Sequence, residues 1–272
     1  MRLTVLGTGT ARPTAGTATS GLLVRSGATA VLLDCGTGIA ARLDHHLPAD
    51  ALTAVVLTHL HADHALDLAA LRYRFPWADG SPRRIPLHLP AGGRAAVVAM
   101  STAIAERPGF IEEAFEINEF AAEDEIQVGE LIVRTAPAQH YVTAASIVVT
   151  NPAGRRLVYA GDTGPTERLV DLARDADLFM VEATLLTADE DDAVRGHLTA
   201  DEAIEIAGRA RADRTLLVHY PAERRAALVA ACAADGRGIE VALEGITVIV
   251  NGSGADGGAN PGRGRPALVV RR

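Results

Sequence analysis

A chain of 272 residues with an apolar fraction of 48% can bury a substantial core, in one large domain or two small ones. The formal net charge of −8 argues against a surface built to neutralise the phosphates of long nucleic acid. Two cysteines give no disulfide framework, and the sequence shows neither a signal-peptide pattern nor a membrane-spanning apolar run. We therefore expect a cytoplasmic protein in a reduced setting, without a membrane partner.

Apolar runs alternate with turn residues and amphipathic stretches, which predicts a mixture of strands and helices. The predicted strands are 2–6, 21–25, 29–34, 54–57, 85–89, 125–128, 131–135, 145–150, 156–160, 178–181, 215–218 and 246–250. The predicted helices are 39–46, 65–74, 93–106, 166–173, one that begins after Thr199, and 223–234. Residues 110–120 fit either a strand or a cap over a site. We expect a single domain over residues 1–250 and a Gly/Arg-rich flexible C-terminal tail over 251–272.

A dense group of polar side chains directly follows the apolar strand predicted at residues 54–57. Three imidazoles and a carboxylate fall within a stretch of six residues, namely His59, His61, Asp63 and His64. A strand that ends in such a group presents nitrogen and oxygen donors at its mouth. These residue types at this spacing predict a metal site.

Further donors follow other predicted strands, namely His140, Asp162, Glu182 and His219, and His197 stands at a helix start. Each has an ordinary explanation alone. A single histidine after a strand is more often a satisfied polar residue than a ligand, and an aspartate in Gly-Asp-Thr-Gly is more often a turn residue. Donors at several strand ends, however, collect at one edge of a sheet, where open α/β sheets bind their ligands. The joint pattern therefore predicts one site.

The series His59-x-His61-x-Asp63-His64, His140, Asp162 and His219 resembles the ligand set of the metallo-β-lactamase superfamily, over about residues 1–250. The resemblance implies an α+β fold, an αββα sandwich of two mixed β-sheets flanked by helices. It implies two divalent metal ions, with zinc as the usual occupant and manganese or iron suited to the same donors. The implied ligands are His59, His61 and His140 for one ion and Asp63, His64 and His219 for the other, with Asp162 bridging them.

Two further features resemble one branch of that superfamily, ribonuclease Z and its short, arm-less relatives, which include small phosphodiesterases. They are the glycine-rich turns at residues 6–10 and 33–38, and the helix start Gly196-His197-Leu198-Thr199. Ribonuclease Z that matures transfer RNA carries a long flexible arm, whereas only 21 residues separate His140 from Asp162. The short relatives often have an aromatic-glycine pair where this chain has Ala145-Ser146. The resemblance thus favours a small cyclic or linear phosphodiester as substrate, without identifying it.

The resemblance also implies a mechanism. Two neighbouring divalent ions can lower the pKa of a shared water toward neutrality, and the resulting hydroxide would attack phosphorus in line. Asp63 is expected to bind metal and accept the proton of the nucleophile. His197 has no place in the ligand set and is predicted to be the general acid for the leaving alkoxide, with a helix-capping role as the alternative. Two carboxylates are candidates to orient a ligand by a hydrogen bond without binding metal themselves. They are Glu182, as a partner of His59 or His197, and Asp34.

Two other activities fit the same residues. A lactone, ester or amide hydrolase of a metabolic or biosynthetic pathway would attack a carbonyl with the same hydroxide and would need His197 less. A ribonuclease Z-like RNA endonuclease would show strong salt sensitivity. A metal-binding scaffold without activity is disfavoured because no ligand position is lost. Homodimers are common among similar proteins, although no stretch of this sequence marks an interface.

Overall fold

A computed structural model of the chain describes residues 1–48, 51–75, 84–190 and 194–251. The strands are β1 (Arg2–Thr8), β2 (Ser20–Ser26), β3 (Thr29–Leu33), β4 (Ala54–Val56), β5 (Ile85–Pro90), β6 (Phe115–Phe120), β7 (Glu125–Val128), β8 (Leu131–Pro137), β9 (Ala145–Thr150), β10 (Arg156–Tyr159), β11 (Leu178–Glu182), β12 (Thr215–Val218), β13 (Glu240–Val241) and β14 (Thr247–Ile249). The helices are α1 (Ile39–Leu43), α2 (Ala62–Ala65), α3 (Leu68–Leu71), α4 (Gly93–Ala105), α5 (Glu167–Ala173), α6 (Ala200–Ala210) and α7 (Arg225–Asp235).

The strands form two seven-stranded sheets with matching organisation. The first has the order β14-β1-β2-β3-β4-β5-β6 and the second β13-β12-β11-β10-β9-β8-β7. Strands β14 to β3 of the first sheet pair antiparallel, and β3 to β6 pair parallel. Strands β7 to β10 of the second sheet likewise pair antiparallel, and β10 to β13 pair parallel. Both sheets are therefore mixed.

Alternation along the strands shows how the sheets are packed. In β4, Ala54 and Val56 belong to a core cluster that contains strands of both sheets, whereas Val55 belongs to a cluster shared with helices. In β11, Leu178 and Met180 face the same inter-sheet core, and the intervening residues pack with α5 and α6. Because successive side chains of a strand point to opposite faces, each sheet is buried on both sides. The result is the predicted αββα sandwich, and the predicted fold class is confirmed.

Several boundaries differ from the sequence prediction. The helix predicted at 65–74 is broken into α2, α3 and a 3₁₀ turn at Arg72–Arg74, and α2 begins earlier, at Ala62, with His61 in extended conformation before it. The helix predicted at 39–46 ends at Leu43. Strand β13 was not predicted. The predicted tail lies outside the described residues except for Asn251.

The parallel halves of the two sheets place polar residues at one shared edge. Strands β3 and β4 end next to each other, with Leu33 paired to Val56, so that Asp34 and the residues after β4 emerge together. In the second sheet Glu182 at the end of β11 is paired with Val218 at the end of β12, directly before His219. The edge where these four strands end holds the site described next. No helix within the described ranges is long and apolar enough to cross a membrane.

Candidate metal centre

The first donor group contains three histidines from two segments, His59 and His61 after β4 and His140 after β8. The Nδ1 atom of His61 lies 3.0 Å from Nε2 of His59 and 3.0 Å from Nε2 of His140. The other ring nitrogen of His140 lies 2.8 Å from the carbonyl oxygen of Gly196, to which it can only donate. Its Nε2 is therefore a lone-pair atom when the ring is neutral. Converging imidazole lone pairs are the arrangement that a cation satisfies.

The second donor group is fully buried and contains Asp63, His64, Asp162 and His219. Nε2 of His219 lies 3.1 Å from Oδ2 of Asp63 and 3.5 Å from Oδ2 of Asp162. Oδ1 of Asp162 makes no hydrogen bond with any described residue, although Nε2 of His64 lies 3.3 Å away. A buried carboxylate oxygen without a hydrogen bond is costly unless another group satisfies it.

Asp162 connects the two groups. One of its oxygens lies 3.9 Å from Nε2 of His59 in the first group, and both face histidines of the second. Within each group the donor atoms lie within 4.8 Å of one another. The mixture of imidazole nitrogens and carboxylate oxygens suits zinc and neighbouring divalent metals. These residues therefore fit two metal ions with Asp162 between them.

The protonation states favour cations in the first group. Burial lowers the pKa of His59, His61 and His140, so these rings are neutral at physiological pH and offer lone pairs. Burial disfavours the ionised Asp162, but His219 and His64 outweigh it and hold its pKa well below the usual range. Neutral imidazoles and an ionised carboxylate are the forms that bind divalent metals.

Burial also disfavours the charged form of His64, but the carboxylates of Asp162 and Asp34 outweigh it and raise its pKa well above the usual value. Burial disfavours the ionised form of Asp63, but the contacts with His219 and His64 outweigh it and lower its pKa. Carboxylates that favour a proton on His64 favour a divalent cation at the same position for the same electrostatic reason.

Asp34 orients two histidines of the first sheet. Oδ2 of Asp34 lies 2.8 Å from Nδ1 of His64, which turns Nε2 of His64 toward the second group. The hydroxyl of Thr58 donates to Asp34 at 3.0 Å and faces Nδ1 of His59 at 3.0 Å. Since Thr58 has one hydroxyl proton, the geometry is satisfied when His59 donates to Thr58 and Thr58 donates to Asp34. Nε2 of His59 then faces the metal site with a lone pair.

Glu182 has a corresponding arrangement in the second sheet. The hydroxyl of Thr184 donates to Glu182 and lies 2.9 Å from Nδ1 of His219. The other oxygen of Glu182 accepts the backbone amide of Thr163 at 2.9 Å and lies 3.0 Å from Nδ1 of His197. Of the two partners considered for Glu182 from the sequence, the structure brings it to His197 and not to His59.

His197 lies beside both donor groups. Its ring is stacked on that of His219 with centroids 5.9 Å apart, and its Nδ1 lies 3.9 Å from Asp162. It also falls within two further sets of donors close enough to hold a cation, one with His140 and Asp162 and the other with Glu182 and His219. His197 is therefore placed either to give a proton to a group bound at the site or to bind a cation itself.

Backbone strain accompanies two of these positions. Asp34 has φ of 59° and His219 has φ of 47°, in the left-handed region that non-glycine residues rarely adopt. Each directly follows a strand of the parallel half of a sheet. Such conformations occur at sites where the side chain's direction matters more than local backbone energy.

The sequence brought out the donors but not their hydroxyl partners. Neither Thr58 nor Thr184 is predicted from the sequence to contact a donor. The available signal was the spacing: Thr58 directly precedes His59, and Thr184 comes two residues after Glu182, each near the end of a strand. This spacing alone does not show which side chains meet across strands.

The sandwich with histidine and aspartate donors at its shared edge defines a protein of the metallo-β-lactamase fold. Residues 29–220 match the family model described as the beta-lactamase superfamily domain. The chain belongs to this superfamily, as the resemblance implied.

Relatives by sequence include uncharacterized protein ML1173 of Mycobacterium leprae (strain TN), 32% identical over 81% of this chain and 78% of that protein. The protein named probable metallo-hydrolase YhfI of Bacillus subtilis (strain 168) is 31% identical over 81% of this chain and 87% of YhfI. A ribonuclease Z of Mycobacterium sp. (strain KMS) is 35% identical over 65% of this chain and 66% of the enzyme. The predicted similarity to ribonuclease Z-like proteins is confirmed.

Solved structures agree with this assignment. The crystal structure of YhfI from Bacillus subtilis superimposes with a TM-score of 0.78 at 25% identity, over 91% of this chain and 98% of YhfI. A structure described as a new diphosphatase from the PhnP family gives a TM-score of 0.71 at 21% identity, over 92% of this chain and 98% of the other. The second similarity concerns the fold alone.

Proposed function

We propose that this protein is a dinuclear metal-dependent hydrolase that cleaves a small cyclic or linear phosphodiester. The observation that carries the proposal is the position of His197, held by Glu182 beside two complete groups of metal donors. A phosphodiester needs a general acid such as His197 more than an activated ester does, because its alkoxide leaves poorly without a proton. The family membership supports the hydrolase class.

One ion would be held by His59, His61 and His140, and the other by Asp63, His64 and His219. Asp162 would bind both ions. When bound, the ions supply Lewis acidity toward water and toward the non-bridging phosphoryl oxygens. Zinc fits the donors best, and manganese or iron suits the same set.

Asp63 and His197 would move the protons of the reaction. Asp63 accepts a proton from the attacking water as the water oxygen bonds to phosphorus. The bond from phosphorus to the leaving oxygen breaks with its electron pair, and His197 gives that oxygen a proton. Because Nδ1 of His197 lies 3.0 Å from Glu182, Nε2 is the ring atom assigned to this transfer. Glu182 keeps the ring in the required orientation.

An RNA endonuclease is the second candidate, favoured by the 35% identity to a protein named ribonuclease Z. Against it stand the net charge of −8 and the short interval between His140 and Asp162. The two candidates differ in salt response, because cleavage of a long polyanion depends on many phosphate contacts.

One preparation of metal-loaded protein, assayed on several substrate classes, tests the proposal. The panel contains cyclic nucleotides, dinucleotides, lactones and a transfer-RNA precursor, with metal content measured on the same sample. We expect turnover of a small phosphodiester that changes little between low and moderate salt. Turnover of lactones alone would reject the phosphodiesterase, and salt-sensitive cleavage of the precursor alone would favour the endonuclease.

A further inference from the structure

We propose that Tyr141 is a stacking platform for the leaving group, and that the preferred substrate is a phosphodiester whose leaving alcohol carries a planar aromatic or heteroaromatic ring, as a nucleoside does. The proposal rests on the proposed function for the position of the leaving group. The platform itself is a binding property and can be tested separately from turnover.

Tyr141 lies at the rim of the metal centre, on the side of the general acid. Its ring centroid is 4.9 Å from that of His140 and 5.8 Å from that of His197. Despite these contacts 47% of the residue is exposed. The other strongly exposed aromatic ring among the described residues is Tyr73, which packs against Phe110.

The backbone of Gly196 fixes the position of this ring. A Cβ atom added to Gly196 would lie 2.6 Å from Tyr141 ring carbons and 2.9 Å from Nδ1 of His140. The same glycine accepts the hydrogen bond of His140 through its carbonyl oxygen. Part of the ring is therefore packed closely, and the exposed part is held in place before a ligand arrives. A rigid ring gives stacking energy at a low cost in conformational entropy.

Two exposed apolar residues are neighbours in sequence of Tyr141 and Gly196. Val142 follows the tyrosine and is 42% exposed, and Val194, two residues before Gly196, is 73% exposed. Exposed apolar side chains beside a site commonly contact an apolar part of the ligand.

The position of the general acid indicates that the leaving group is the part of the substrate that stacks on Tyr141. His197 protonates the leaving oxygen, so the leaving alcohol lies on the His197 side, where Tyr141 also lies. Stacking of a nucleobase on an aromatic side chain contributes about 1–3 kcal/mol, which corresponds to roughly five- to 150-fold in affinity. Tyr141 therefore distinguishes planar from saturated leaving groups of the same size.

Calorimetric titration of the metal-loaded protein with benzyl phosphate and with cyclohexylmethyl phosphate isolates this effect. Both probes carry the same phosphate and a six-membered ring, but only the first ring is planar. We expect benzyl phosphate to bind roughly tenfold more tightly to the wild type. Tyr141→Phe keeps the preference, because the ring remains, and Tyr141→Leu loses it. Tyr73→Leu, which removes the other exposed tyrosine, serves as the control and keeps it.

Turnover of benzyl methyl phosphate and cyclohexylmethyl methyl phosphate by the same four proteins separates the two proposals. A binding preference that Tyr141→Leu abolishes, without turnover of either diester, rejects the phosphodiesterase and keeps the platform. Equal binding of the two probes by the wild type, weak binding of both, or a preference that survives in Tyr141→Leu overturns the platform, whatever the turnover.

Discussion

His197 and Glu182 carry the distinction between a phosphodiesterase and a hydrolase of activated esters. His197 is partly exposed, and its Nδ1 is held by a buried carboxylate, so the ring is oriented while one side remains accessible. A group that protonates the leaving oxygen matters more as the leaving alcohol becomes a stronger base. The role of His197 is therefore visible in how rates depend on the leaving group.

We expect His197→Gln to slow the cleavage of alkyl phosphodiesters by about 100-fold or more, which is the size expected for lost acid catalysis. Cleavage of p-nitrophenyl phosphodiesters should slow much less, because p-nitrophenolate leaves readily without a proton. The measurement is kcat/KM for a series of phosphodiesters that differ in the pKa of the leaving alcohol. Metal content of the variant is measured alongside, because His197 lies near other donors. Equal slowing across the series, or loss of metal, would assign His197 a different role.

At the scale of the strands, the two sheets orient histidines of the donor groups in the same way. In each sheet, a carboxylate at one strand end and a threonine hydroxyl fix a histidine on the neighbouring parallel strand: Asp34, Thr58 and His59 in one, Glu182, Thr184 and His219 in the other. The hydroxyl determines which ring nitrogen keeps its lone pair. Outer partners of this kind commonly change metal affinity by about 10–100-fold.

We expect Thr58→Val to weaken metal binding by about 10–100-fold, because His59 loses the acceptor for its Nδ1–H. The variant keeps the shape of the side chain and leaves buried polar groups unpaired, which costs about 1–3 kcal/mol of folding free energy. Competition with a chromophoric chelator measures the affinity, and urea denaturation measures the stability.

Thr4→Val is the matched control for that prediction. Thr4 is also buried and its hydroxyl is 3.0 Å from that of Thr247 on the neighbouring strand, outside the donor groups. This variant is expected to lose stability without losing metal affinity. If Thr58→Val and Thr4→Val affect metal affinity equally, Thr58 does not act through His59.

At the scale of the whole molecule, the candidate metal centre draws its donors from both sheets. Its donors come from segments after β4 in the first sheet and after β8, β10 and β12 in the second. Ligands that bind only the folded state stabilise it by about 2.7 kcal/mol at 100 times their dissociation constant. Metal removal should therefore loosen the contact between the sheets as well as abolish activity.

We expect treatment with a chelator to lower the Tm of the protein, and readdition of zinc to restore it. A two-point comparison of thermal unfolding by circular dichroism, before and after dialysis against the chelator, measures the shift. The Asp162→Ala variant should show a smaller shift, because it retains fewer ligands. A Tm that is the same with and without the chelator would mean that the donors hold no metal under those conditions.

The fold class was implied by the resemblance to a known superfamily, whereas the strands and the clustering of the donors were predicted from local patterns. Alternating apolar runs indicated the strands, and residues such as His140 and His219 followed them directly. The break between α2 and α3 could not be predicted, because residues there bond to a distant segment: Cys35 donates its amide to the carbonyl oxygen of His64 and accepts the amide of Asp67.

The partners of Thr184 and the exposure of Tyr141 were not predictable for the same reason. Thr184 meets His219, which is 35 residues away, and the packing of Tyr141 depends on Gly196, which lies in a different loop. Pairings of this kind follow from the register of parallel strands and from loop contacts. Neither the register of parallel strands nor the contacts between loops can be read from a single sequence.

Metal stoichiometry tests the central claim, a two-metal centre bridged by Asp162, most directly. Metal per chain is measured by mass spectrometry on wild type and on Asp162→Ala, with turnover of bis-p-nitrophenyl phosphate on the same samples. Asp171→Asn, an exposed aspartate paired with Arg174, is the control. We predict two divalent ions per chain for the wild type and the control. For Asp162→Ala we predict loss of metal and a turnover lower by more than about 100-fold, because loss of a mere partner of a ligand already costs about 10–100-fold and Asp162 is proposed as a ligand itself. Unchanged metal content and turnover in Asp162→Ala would contradict the dinuclear account.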